Sequence, residues 1–558
     1  MFKTARLVIF FFVSTSLSCV FADQNKVAIA SAHPLATAAG FEVIAKGGNV
    51  YDAAVAISAA LAVLEPYGSG LGGGAYWLLH REKDNLDVVV DAREKAPMAA
   101  HKNMYLDKNG KVIPKLSLDG ALAAAIPGLP AGLVHLNAKY GLLPLAENLA
   151  PAITYAKAGF AIGERYLRYL KTRAETIKHY PESAKIFLDH SQNIPELYSI
   201  LRQTDLAHTL SILATEGRAG FYSGDVAERL VKSVKQAGGI WTLADLENYQ
   251  IIEKKPLIGN YKGIKVTSVP PSSSGGIALL ETLNILADYD LEAMPTAIRK
   301  HLIVEALRRA YHDRSQYLGD ADYVDVPINR LLNTDYAAGL RSSIRYDKTL
   351  ASSQLSGNSE NKILGANTTH YSIIDQEGNR VAATLSLNFQ FGSAFVVPGT
   401  GVLLNDEMDD FDSQSGVMNV YGLLGGTANS IAPGKRMLSS MTPTFLETEK
   451  SVAVLGTPGG SRIISMVLLA ALDFAKGKEP DSWVNLPRFH HQFMPDVLEY
   501  EKSALTDEEI NALKQLGHQL KEVPMPYGDM QAVLLNKFTN SLSAASDKRG
   551  EGRAQVSQ

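Results

Sequence analysis

The sequence predicts a mixed α/β fold of the α+β type, in which strand-forming segments near both ends of the chain flank a long helical middle. The strand-forming segments are rich in β-branched and aromatic residues, and they occupy residues 77–80, 86–90, 369–375 and 380–387. The middle has a mostly helical pattern, with helices predicted over residues 145–158, 163–174, 204–217, 224–237, 276–286 and 300–311. No low-complexity linker, repeat or charge block separates these segments.

Smaller elements complete the prediction at the two ends of the chain. Residues 27–64 predict a strand followed by a helix, with small residues over 51–61 suited to close packing. The glycine-rich run 68–74 follows, and because no Lys-Ser/Thr completes a P-loop, a tight backbone turn is favoured over a phosphate cradle. Near the C-terminal end, a short helix is predicted over 507–519 and a strand over 530–535.

Composition points to a large, compact enzyme. The chain has 558 residues, of which 46% are hydrophobic and 20% charged, with a net charge of −4. Length alone suggests three or four domains, but nothing in the sequence marks their boundaries. The modest acidity argues against nucleic acid or an anionic membrane surface as a partner. A compact enzyme therefore fits better than a modular binding protein.

The first 22 residues are predicted to be a secretory signal peptide. Two basic residues precede the apolar run 7–20, and Val20-Phe21-Ala22 fits a small-residue cleavage site. The run is short for a membrane span, although an uncleaved anchor remains an alternative. Cleavage after Ala22 would remove the single cysteine, Cys19, and with it any disulfide or thiol chemistry. The expected location is extracytoplasmic, either periplasmic or secreted.

A β-hairpin is predicted where residues 369–375 and 380–387 meet. Asp375 at the first turn position and Gly378 at the fourth suit a type I turn with a left-handed glycine, and therefore a three-residue loop. That loop pairs Asp375 with Asn379. A two- or four-residue loop would instead turn every side chain of the second strand to the other face of the sheet.

This register brings three polar side chains together at the open end of the hairpin. Counting back along both strands sets Ser386 opposite Thr368, and Asn388 falls on the same face. A hydroxyl is a poor nucleophile unless a base lies within hydrogen-bond reach. If the bond between Asn367 and Thr368 were cut, the new α-amino group of Thr368, with a reference pKa of about 7.7–8.0, would be that base. The uncut chain should therefore be inactive.

Two further segments carry charges suited to a small zwitterionic ligand. Arg93 ends a predicted strand, and its planar guanidinium can bind a carboxylate through two hydrogen bonds. A surface ion pair is the alternative for that arginine. The acidic run 405–410 follows another strand; such clusters usually form a solvated turn, but two carboxylates can also stabilise an ammonium group. The adjacent His490 and His491 are interpreted as structural, because neighbours on a strand cannot face one metal.

Four motifs occur in an order that resembles one known family. They are Thr368-Thr369-His370-Tyr371, Leu404-Asn405-Asp406-Glu407-Met408-Asp409-Asp410-Phe411, Leu438-Ser439-Ser440-Met441 and Gly456-Thr457-Pro458-Gly459-Gly460-Ser461-Arg462. Together they closely resemble the γ-glutamyltranspeptidases, also called glutathione hydrolases, of the N-terminal-nucleophile hydrolase superfamily. The resemblance runs from about residue 26 to the C-terminal end. It implies a four-layer αββα sandwich made as one precursor, whose cleavage gives a large chain, 23–367, and a small chain, 368–558, intertwined in one domain.

The resemblance also implies a role for each matching residue. In the implied catalytic group, Thr368 is the nucleophile and Ser386 positions its hydroxyl. Asn388 would hold the substrate α-amino end, and the backbone N–H groups of Gly459 and Gly460 would form the oxyanion hole. In the implied substrate-binding group, Arg93, Ser439 and Ser440 contact the α-carboxylate. Glu407 and Asp410 would hold the α-amino group, and Tyr421 would close over the substrate from a lid within 412–436. Other family members have Gln at the position of Glu407 and Thr at that of Ser386, and both changes keep the needed acceptor or hydroxyl.

The implied reaction is γ-glutamyl acyl transfer from glutathione or a related compound to water or to an amino-acid or dipeptide amine. The resemblance implies no metal and no organic cofactor. Two alternatives remain at this point. One is a superfamily relative with glutaryl-cephalosporin acylase specificity, and the other is a catalytically inactive secreted binding protein on the same fold.

Overall fold

The structure is a computed structural model that describes residues 25–354, 368–412 and 418–557. The predicted signal peptide, residue 367 on the amino side of the predicted cleavage point, and part of the predicted lid lie outside the described residues. The strands are β1 (Val27–Ser31), β2 (Gly74–Arg81), β3 (Leu86–Ala92), β4 (Phe160–Ala161), β5 (Ile200–Leu201), β6 (Ile252–Lys254), β7 (Leu257–Tyr261), β8 (Ile264–Ser268), β9 (Thr369–Asp375), β10 (Arg380–Ser386), β11 (Val396–Val397), β12 (Val402–Leu403), β13 (Thr444–Glu447), β14 (Ser451–Gly456), β15 (Phe489–His490), β16 (Leu498–Tyr500), β17 (Leu520–Glu522), β18 (Gln531–Asn536), β19 (Ser541–Ser546) and β20 (Arg553–Val556).

The α-helices cluster in the middle of the chain, as the sequence predicts, with further helices at each end. They are α1 (Pro34–Ala45), α2 (Val50–Leu64), α3 (Leu129–Tyr140), α4 (Leu145–Ala158), α5 (Glu164–Lys178), α6 (Pro181–Phe187), α7 (Thr204–Glu216), α8 (Ala219–Tyr222), α9 (Gly224–Gln236), α10 (Leu243–Glu247), α11 (Gly275–Leu286), α12 (Thr296–Tyr317), α13 (Ile328–Leu331), α14 (Thr334–Ser342), α15 (Ile463–Ala475), α16 (Pro480–Asn485) and α17 (Asp507–Gln515). Over the described ranges, no helix has both the length and the apolar character needed to cross a membrane.

Two large antiparallel sheets form the centre of the molecule. The seven-stranded sheet has the order β20-β1-β9-β10-β2-β3-β6, and the six-stranded sheet has the order β19-β18-β14-β13-β8-β7. Each sheet combines strands that precede Thr368 with strands that follow it. In the first sheet, β1 lies between β20 and β9, so a strand from the first part of the chain is flanked by two strands from the last part.

Side-chain alternation along the strands creates three separate apolar layers. On β2, Trp77 and Leu79 belong to the core beneath the first group of helices, whereas Tyr76 and Leu78 belong to the core between the two sheets. The second sheet repeats this alternation, with residues of β13 and β14 facing either the first sheet or the helices α11, α12 and α15. The layers therefore run helix, sheet, sheet, helix, which confirms the predicted αββα sandwich.

The predicted hairpin has the predicted register. The Asp375 N–H donates to the Asn379 carbonyl oxygen over 3.0 Å, and Gly378 has a positive φ of 103°. Arg380 pairs with Ile374, and the pairing continues to Leu385 opposite Thr369, which extends to Ser386 opposite Thr368. The Asp375 carboxylate also accepts the N–H groups of Gly378 and Asn379, which explains why this loop has three residues.

Element boundaries differ from the predictions in several places. The small-residue helix predicted over 51–61 lies within the longer α2, which begins with a capping box between Asn49 and Asp52. A further helix, α1, precedes the turn at Gly47–Gly48. Helix α17 stops four residues short of the predicted end because Gly517, at φ 96°, follows it. Helix α12 extends beyond the predicted 300–311 at both ends, since its buried face includes charged residues that no apolar pattern reveals.

Candidate active site

One small cavity brings together residues from both sides of Thr368 in the sequence. Ten of the predicted site residues line it: Arg93, Thr368, Ser386, Asn388, Glu407, Asp410, Tyr421, Ser439, Ser440 and Gly460. The eleventh, Gly459, is not among the lining residues, although it precedes Gly460 directly. Met441 and Ile463 complete the wall, and sequence analysis missed both because apolar residues at these positions look like ordinary core residues.

The hairpin carries the polar floor of this cavity. Thr368 immediately precedes β9 and is 4% exposed, and Ser386 ends the neighbouring strand β10. The chain then turns at Asn388, whose φ of 75° is rare for a residue other than glycine. The Asn388 N–H donates to the Ser386 Oγ over 2.7 Å, which fixes the serine hydroxyl at the mouth of the hairpin.

The glycine-rich run 68–74 packs directly against this floor. A Cβ on Gly73 would lie 2.0 Å from the Ser386 carbonyl oxygen, and a Cβ on Gly68 would lie 3.2 Å from the Thr368 carbonyl oxygen. The run therefore allows one backbone segment to approach another, and the predicted tight turn is confirmed. Its glycines affect the active site because they leave room for the backbone of the hairpin at Thr368 and Ser386.

Arg93 lies at the centre of a buried charge cluster. It directly follows β3, and its Nη1 lies 2.6 Å from the Glu407 Oε2, while its Nη2 lies 2.5 Å from the Asp410 Oδ2. The carboxylate of Glu94 lies 3.6 Å from Nη1. The surface ion pair considered from the sequence is wrong, because Arg93 is only 1% exposed.

Three carboxyl groups surround a single guanidinium in this cluster, and this shapes its titration. Burial raises the pKa of Glu407 and that of Asp410, although the Arg93 guanidinium acts in the opposite direction on both. Burial likewise raises the pKa of Glu94 to about 8, again against the pull of Arg93. Burial alone would lower the pKa of Arg93, but the three carboxylates raise it above its ordinary value. A cationic ligand group would favour the ionised forms of these carboxyl groups.

The opposite wall is built from the serine motif and the glycine motif. The Ser439 Oγ accepts the Met441 N–H over 3.0 Å, and the Ser439 backbone pairs with the 272–274 loop. Gly459 and Gly460 have φ values of 145° and 55°, and Gly459 precedes the 3-10 turn that begins at Gly460 and leads into α15. The start of a helix presents unpaired N–H groups, which suits the stabilisation of a negative oxygen.

Tyr421 closes the cavity from above the hairpin. Its hydroxyl lies 2.7 Å from the Asn388 carbonyl oxygen and 2.6 Å from the Asn388 Oδ1, and it donates its proton to this pair. The Asn388 Nδ2 donates to the Asp406 carbonyl oxygen over 3.0 Å, which fixes the direction of the amide. The predicted lid residue and the predicted floor residue are thus joined directly.

A second polar cluster has the residue types of a metal site. His301, Glu305 and His518 place their ligand atoms within 4.8 Å of one another. The Glu305 carboxylate is already paired with Arg308 and Arg309, and the His301 ring bonds both His518 and the Arg345 carbonyl oxygen. These atoms satisfy each other, so the cluster is a poor ligand set for a metal. His490 and His491 likewise bond Ser465 and Asp496, as the structural interpretation predicts.

The fold and the site together define a class of enzyme. A threonine at the start of a central strand in an αββα sandwich, beside a polar cavity, is the arrangement of the N-terminal-nucleophile hydrolases. A cephalosporin acylase from Bacillus halodurans has the same fold, with a TM-score of 0.84 at 24% identity over 99% of this chain and 97% of that one.

Sequence comparison identifies the family within this class. The family model for gamma-glutamyltranspeptidase matches residues 36–557. A glutathione hydrolase proenzyme from Pseudomonas sp. (strain A14) is 41% identical over 94% of this chain and 93% of its own length. The structure of a gamma-glutamyltranspeptidase chain from Helicobacter pylori is 43% identical, with a TM-score of 0.57, over 58% of this chain and 93% of that one. The chain belongs to the γ-glutamyltranspeptidase family.

Proposed function

We propose that this protein cleaves the γ-glutamyl amide bond of glutathione and related compounds and passes the glutamyl group to water or to an amine. The observation that carries the proposal is the position of the Arg93 charge cluster in the same cavity as Thr368. A free α-amino acid end carries one carboxylate and one ammonium group. The same cavity is lined by a guanidinium, two carboxyl groups and the threonine hydroxyl.

The reaction begins when the Thr368 hydroxyl attacks the γ-carbonyl carbon of the substrate. The α-amino group of Thr368 takes the hydroxyl proton and then gives it to the departing amine as the C–N bond breaks. A γ-glutamyl ester on Thr368 remains. Water or an amino-acid or dipeptide amine then attacks the ester, and its proton passes through the same α-amino group back to the threonine oxygen.

The α-amino group exists only after cleavage of the chain before Thr368. The name proenzyme, carried by the Pseudomonas relative, supports such processing. The Helicobacter pylori chain covers 58% of this sequence, which is close to the fraction of the sequence that residues 23–367 make up. This agreement also supports a division into a large and a small chain. We assign the cleaved bond to residues 367 and 368.

Substrate binding exchanges the internal ion pairs for pairs with the ligand. The α-carboxylate would take hydrogen bonds from Arg93, Ser439 and Ser440. The α-ammonium would lie between Glu407 and Asp410, where it offsets the excess of carboxylates. A charged hydrogen bond in a buried site contributes about 1.5–3 kcal/mol, so this exchange can supply much of the affinity.

The remaining residues act on the nucleophile and on the oxyanion. The Ser386 hydroxyl positions the Thr368 Oγ, and Asn388 supports the α-amino end of the substrate. The N–H groups of Gly459 and Gly460 bind the oxygen that becomes negative during attack, and loss of one such donor typically costs roughly 10²–10³ in rate. Tyr421 covers the bound glutamyl group and limits the entry of water.

Glutaryl amides are the alternative substrates. A glutaryl group has a carboxylate but no α-amino group. Its carboxylate would lie near Glu407 and Asp410 with no ammonium group to offset the repulsion. Like charges at this distance disfavour binding, and the glutamyl group is therefore the better match. Export through the predicted signal peptide, to the periplasm or the medium, completes the proposal.

Intact mass and N-terminal sequencing of the expressed protein, followed by a glutamate-release assay with glutathione, test this proposal. We expect two chains, with the smaller starting Thr-Thr-His-Tyr and the larger starting near residue 23, and release of glutamate by the cleaved protein. The Thr368→Ala variant should stay uncut and inactive. A single uncut wild-type chain that releases no glutamate would exclude the mechanism and favour a binding protein on the same fold.

A further inference from the structure

The segment that carries Tyr421 forms a short turn held by buried groups. The Asn419 Oδ1 accepts the Tyr421 N–H over 3.0 Å and the Leu423 N–H over 3.1 Å, and the Gly422 N–H donates to the Asn419 carbonyl oxygen. Gly422 has a φ of 69°. We call residues 419–423 the Tyr421 turn. Its own hydrogen bonds fix its shape, but they do not fix where it sits over the cavity.

Gln492 ties the Tyr421 turn to the body of the small chain. Its Nε2 lies 3.0 Å from the Tyr421 carbonyl oxygen and 3.0 Å from the Gly422 carbonyl oxygen, and 3.2 Å from the Met494 carbonyl oxygen. The side chain is 4% exposed. Three carbonyl oxygens around one nitrogen require that nitrogen to be the amide donor, so the orientation of the Gln492 amide is determined by its surroundings.

His490 and Ser465 extend this contact into a chain of hydrogen bonds. The Gln492 Oε1 can only accept, so the His490 Nε2, 2.9 Å away, carries the proton. The His490 Nδ1 then lies 2.9 Å from the Ser465 Oγ on α15, whose hydroxyl also lies 2.9 Å from the Arg462 carbonyl oxygen. Burial lowers the pKa of His490 to about 3, so the ring stays neutral and this tautomer is maintained at ordinary pH. The amide nitrogen of Gln492 is thereby held toward the Tyr421 turn.

Asp409 holds the Tyr421 turn from the other side. Its Oδ2 accepts the Val420 N–H over 3.0 Å, and its Oδ1 accepts the Ser117 hydroxyl over 2.6 Å. Asp409 lies in the 3-10 helix between Glu407 and Asp410, which contact Arg93. The turn is thus hydrogen-bonded on one side to Asp409, an acceptor next to the predicted substrate-binding residues, and on the other side to Gln492, a donor on the segment after α16.

We propose that Gln492 is a positioning residue that holds Tyr421 over the active site and so sets the balance between water and amine as acceptors. Its Nε2 donates to the backbone of Tyr421 and Gly422, which directs the Tyr421 hydroxyl to Asn388. This inference rests on the proposed function for its kinetic consequence, but the contact itself is independent of any activity. A turn released from Gln492 exposes the γ-glutamyl ester to water.

Two variants remove the donors in different ways. Gln492→Glu keeps the size of the side chain but places carboxylate oxygens against two carbonyl oxygens, and Gln492→Met removes the donors without adding charge. Loss of two buried hydrogen bonds corresponds to roughly a tenfold change in the equilibrium between held and released turn. We expect the ratio of transfer to hydrolysis to fall roughly tenfold in both variants, with the KM for the γ-glutamyl donor raised and processing unchanged.

Hydrogen exchange gives a readout that does not depend on catalysis. The Val420 and Leu423 amides should exchange about tenfold faster in both Gln492 variants than in the wild type. Gln203→Glu is the matched control, because Gln203 is a buried amide that donates to the Val63 carbonyl oxygen in a region without contact to the Tyr421 turn. That control should leave the exchange of these two amides and the transfer ratio at wild-type values.

A double-mutant cycle with Tyr421→Phe shows whether Gln492 acts through Tyr421. If it does, Gln492→Met in the Tyr421→Phe background should change the transfer ratio far less than it does alone. Unchanged exchange at Val420 and Leu423, or equal effects of Gln492→Met in both backgrounds, would overturn the proposal. A wild-type protein without glutamate release would refute the proposed function instead, while the exchange measurement would still decide whether Gln492 holds the turn.

Discussion

Arg93 and its carboxylate partners form a buried ion cluster to which the proposed function adds a role in binding. The guanidinium is nearly inaccessible and pairs with Glu407 and Asp410, which come from a segment more than 300 residues later in the chain. Removing one member of a buried pair leaves an uncompensated charge and is strongly unfavourable. In the proposed binding mode, a zwitterionic substrate would avoid this cost because it would bring a replacement for each partner.

Replacement of Asp410 by asparagine tests this exchange. Asp410→Asn keeps the shape of the side chain but removes one of the charges that would face the substrate ammonium. We expect the KM for a γ-glutamyl substrate to rise about 10–100-fold, which corresponds to the roughly 1.5–3 kcal/mol of a charge-assisted hydrogen bond, with a smaller change in kcat. Steady-state kinetics with glutamyl and glutaryl amides would measure the effect.

The two substrates separate a binding role from general damage. Asp410→Asn should weaken the preference for glutamyl over glutaryl, because only the glutamyl group carries the ammonium. Asp225→Asn, which removes an exposed carboxylate on α9, is the control and should leave both substrates unaffected. Equal losses for glutamyl and glutaryl amides in Asp410→Asn would contradict the assigned role of Asp410.

At the scale of single residues, sequence analysis found the polar lining of the cavity and missed the apolar part. Thr368, Ser386 and Asn388 could be placed together because a hairpin register is fixed by its loop length. Met441 and Ile463 could not be found, since a methionine or isoleucine beside a cavity has the same local pattern as one in a core. Gln492 was missed for a related reason: its role depends on a backbone turn 70 residues earlier, and no local pattern encodes that contact.

At the scale of secondary structure, the glycine run before β2 sets how closely two backbones can approach. Gly73→Ala would place a Cβ 2.0 Å from the Ser386 carbonyl oxygen, so the two strands must separate. We expect a destabilisation of about 1–3 kcal/mol, in the range of overpacked cores, and a marked loss of processing because Ser386 moves relative to Thr368. Thermal unfolding and the fraction of cleaved chain would measure both effects.

Gly339→Ala is the control for this substitution. Gly339 lies within α14, and an added Cβ there meets no heavy atom within 4 Å. Alanine has the higher helix propensity, so this variant should be neutral or slightly stabilising and fully processed. Equal behaviour of the two alanine variants would show that the close approach at Gly73 is unimportant.

Helix α12 carries a buried ion cluster with a predictable dependence on pH. Although burial alone would raise it, the Arg308 guanidinium, the Thr349 hydroxyl and the Arg309 guanidinium together lower the pKa of Glu305 to about 2. The folded-state pKa thus lies below the ordinary value of 4.5. The ionised form of Glu305 therefore stabilises the fold above about pH 4.5, and this stabilisation is lost as the pH falls toward 2.

Glu305→Gln should remove this acid-sensitive stability. At about 1.36 kcal/mol per pH unit, the pKa difference corresponds to about 3 kcal/mol at pH 7. We expect the variant to be less stable than the wild type at pH 7 and the gap to narrow steadily below pH 4.5. Denaturant unfolding at several pH values would measure the gap, and a difference that stays constant down to pH 3 would contradict the pKa assignment.

The same helix explains why element boundaries were harder to predict than element types. The helix was predicted over 300–311 from its apolar residues, but it runs from Thr296 to Tyr317. Its last turns bury Asp313 and Arg314, whose partners lie on other elements: the Tyr336 hydroxyl and the Ser274 hydroxyl. Charged residues satisfied by distant partners mark helix ends that periodicity in one segment cannot show.

At the scale of the whole molecule, the sandwich could be predicted only through the family motifs, because sheet order depends on pairings between distant segments. No local pattern indicates that β20 pairs with β1, although 522 residues separate Ser31 and Arg553. The length of the chain suggested three or four domains, whereas the two sheets share one apolar layer to which strands on both sides of Thr368 contribute. Pairings of this range place the whole described chain in one folded unit.

This intertwining predicts how the cleaved protein behaves. Because β1 lies between β9 and β20, the two chains cannot separate without breaking β-ladders on both edges of β1 and opening the layer between the sheets. Native size-exclusion chromatography should therefore give one peak that contains both chains, at the volume of the uncut Thr368→Ala precursor. Concentrated guanidinium should separate them into a large and a small component. Two native peaks, or exchange of the small chain with a labelled copy without unfolding, would mean that the two sheets do not hold the cleaved halves as one unit.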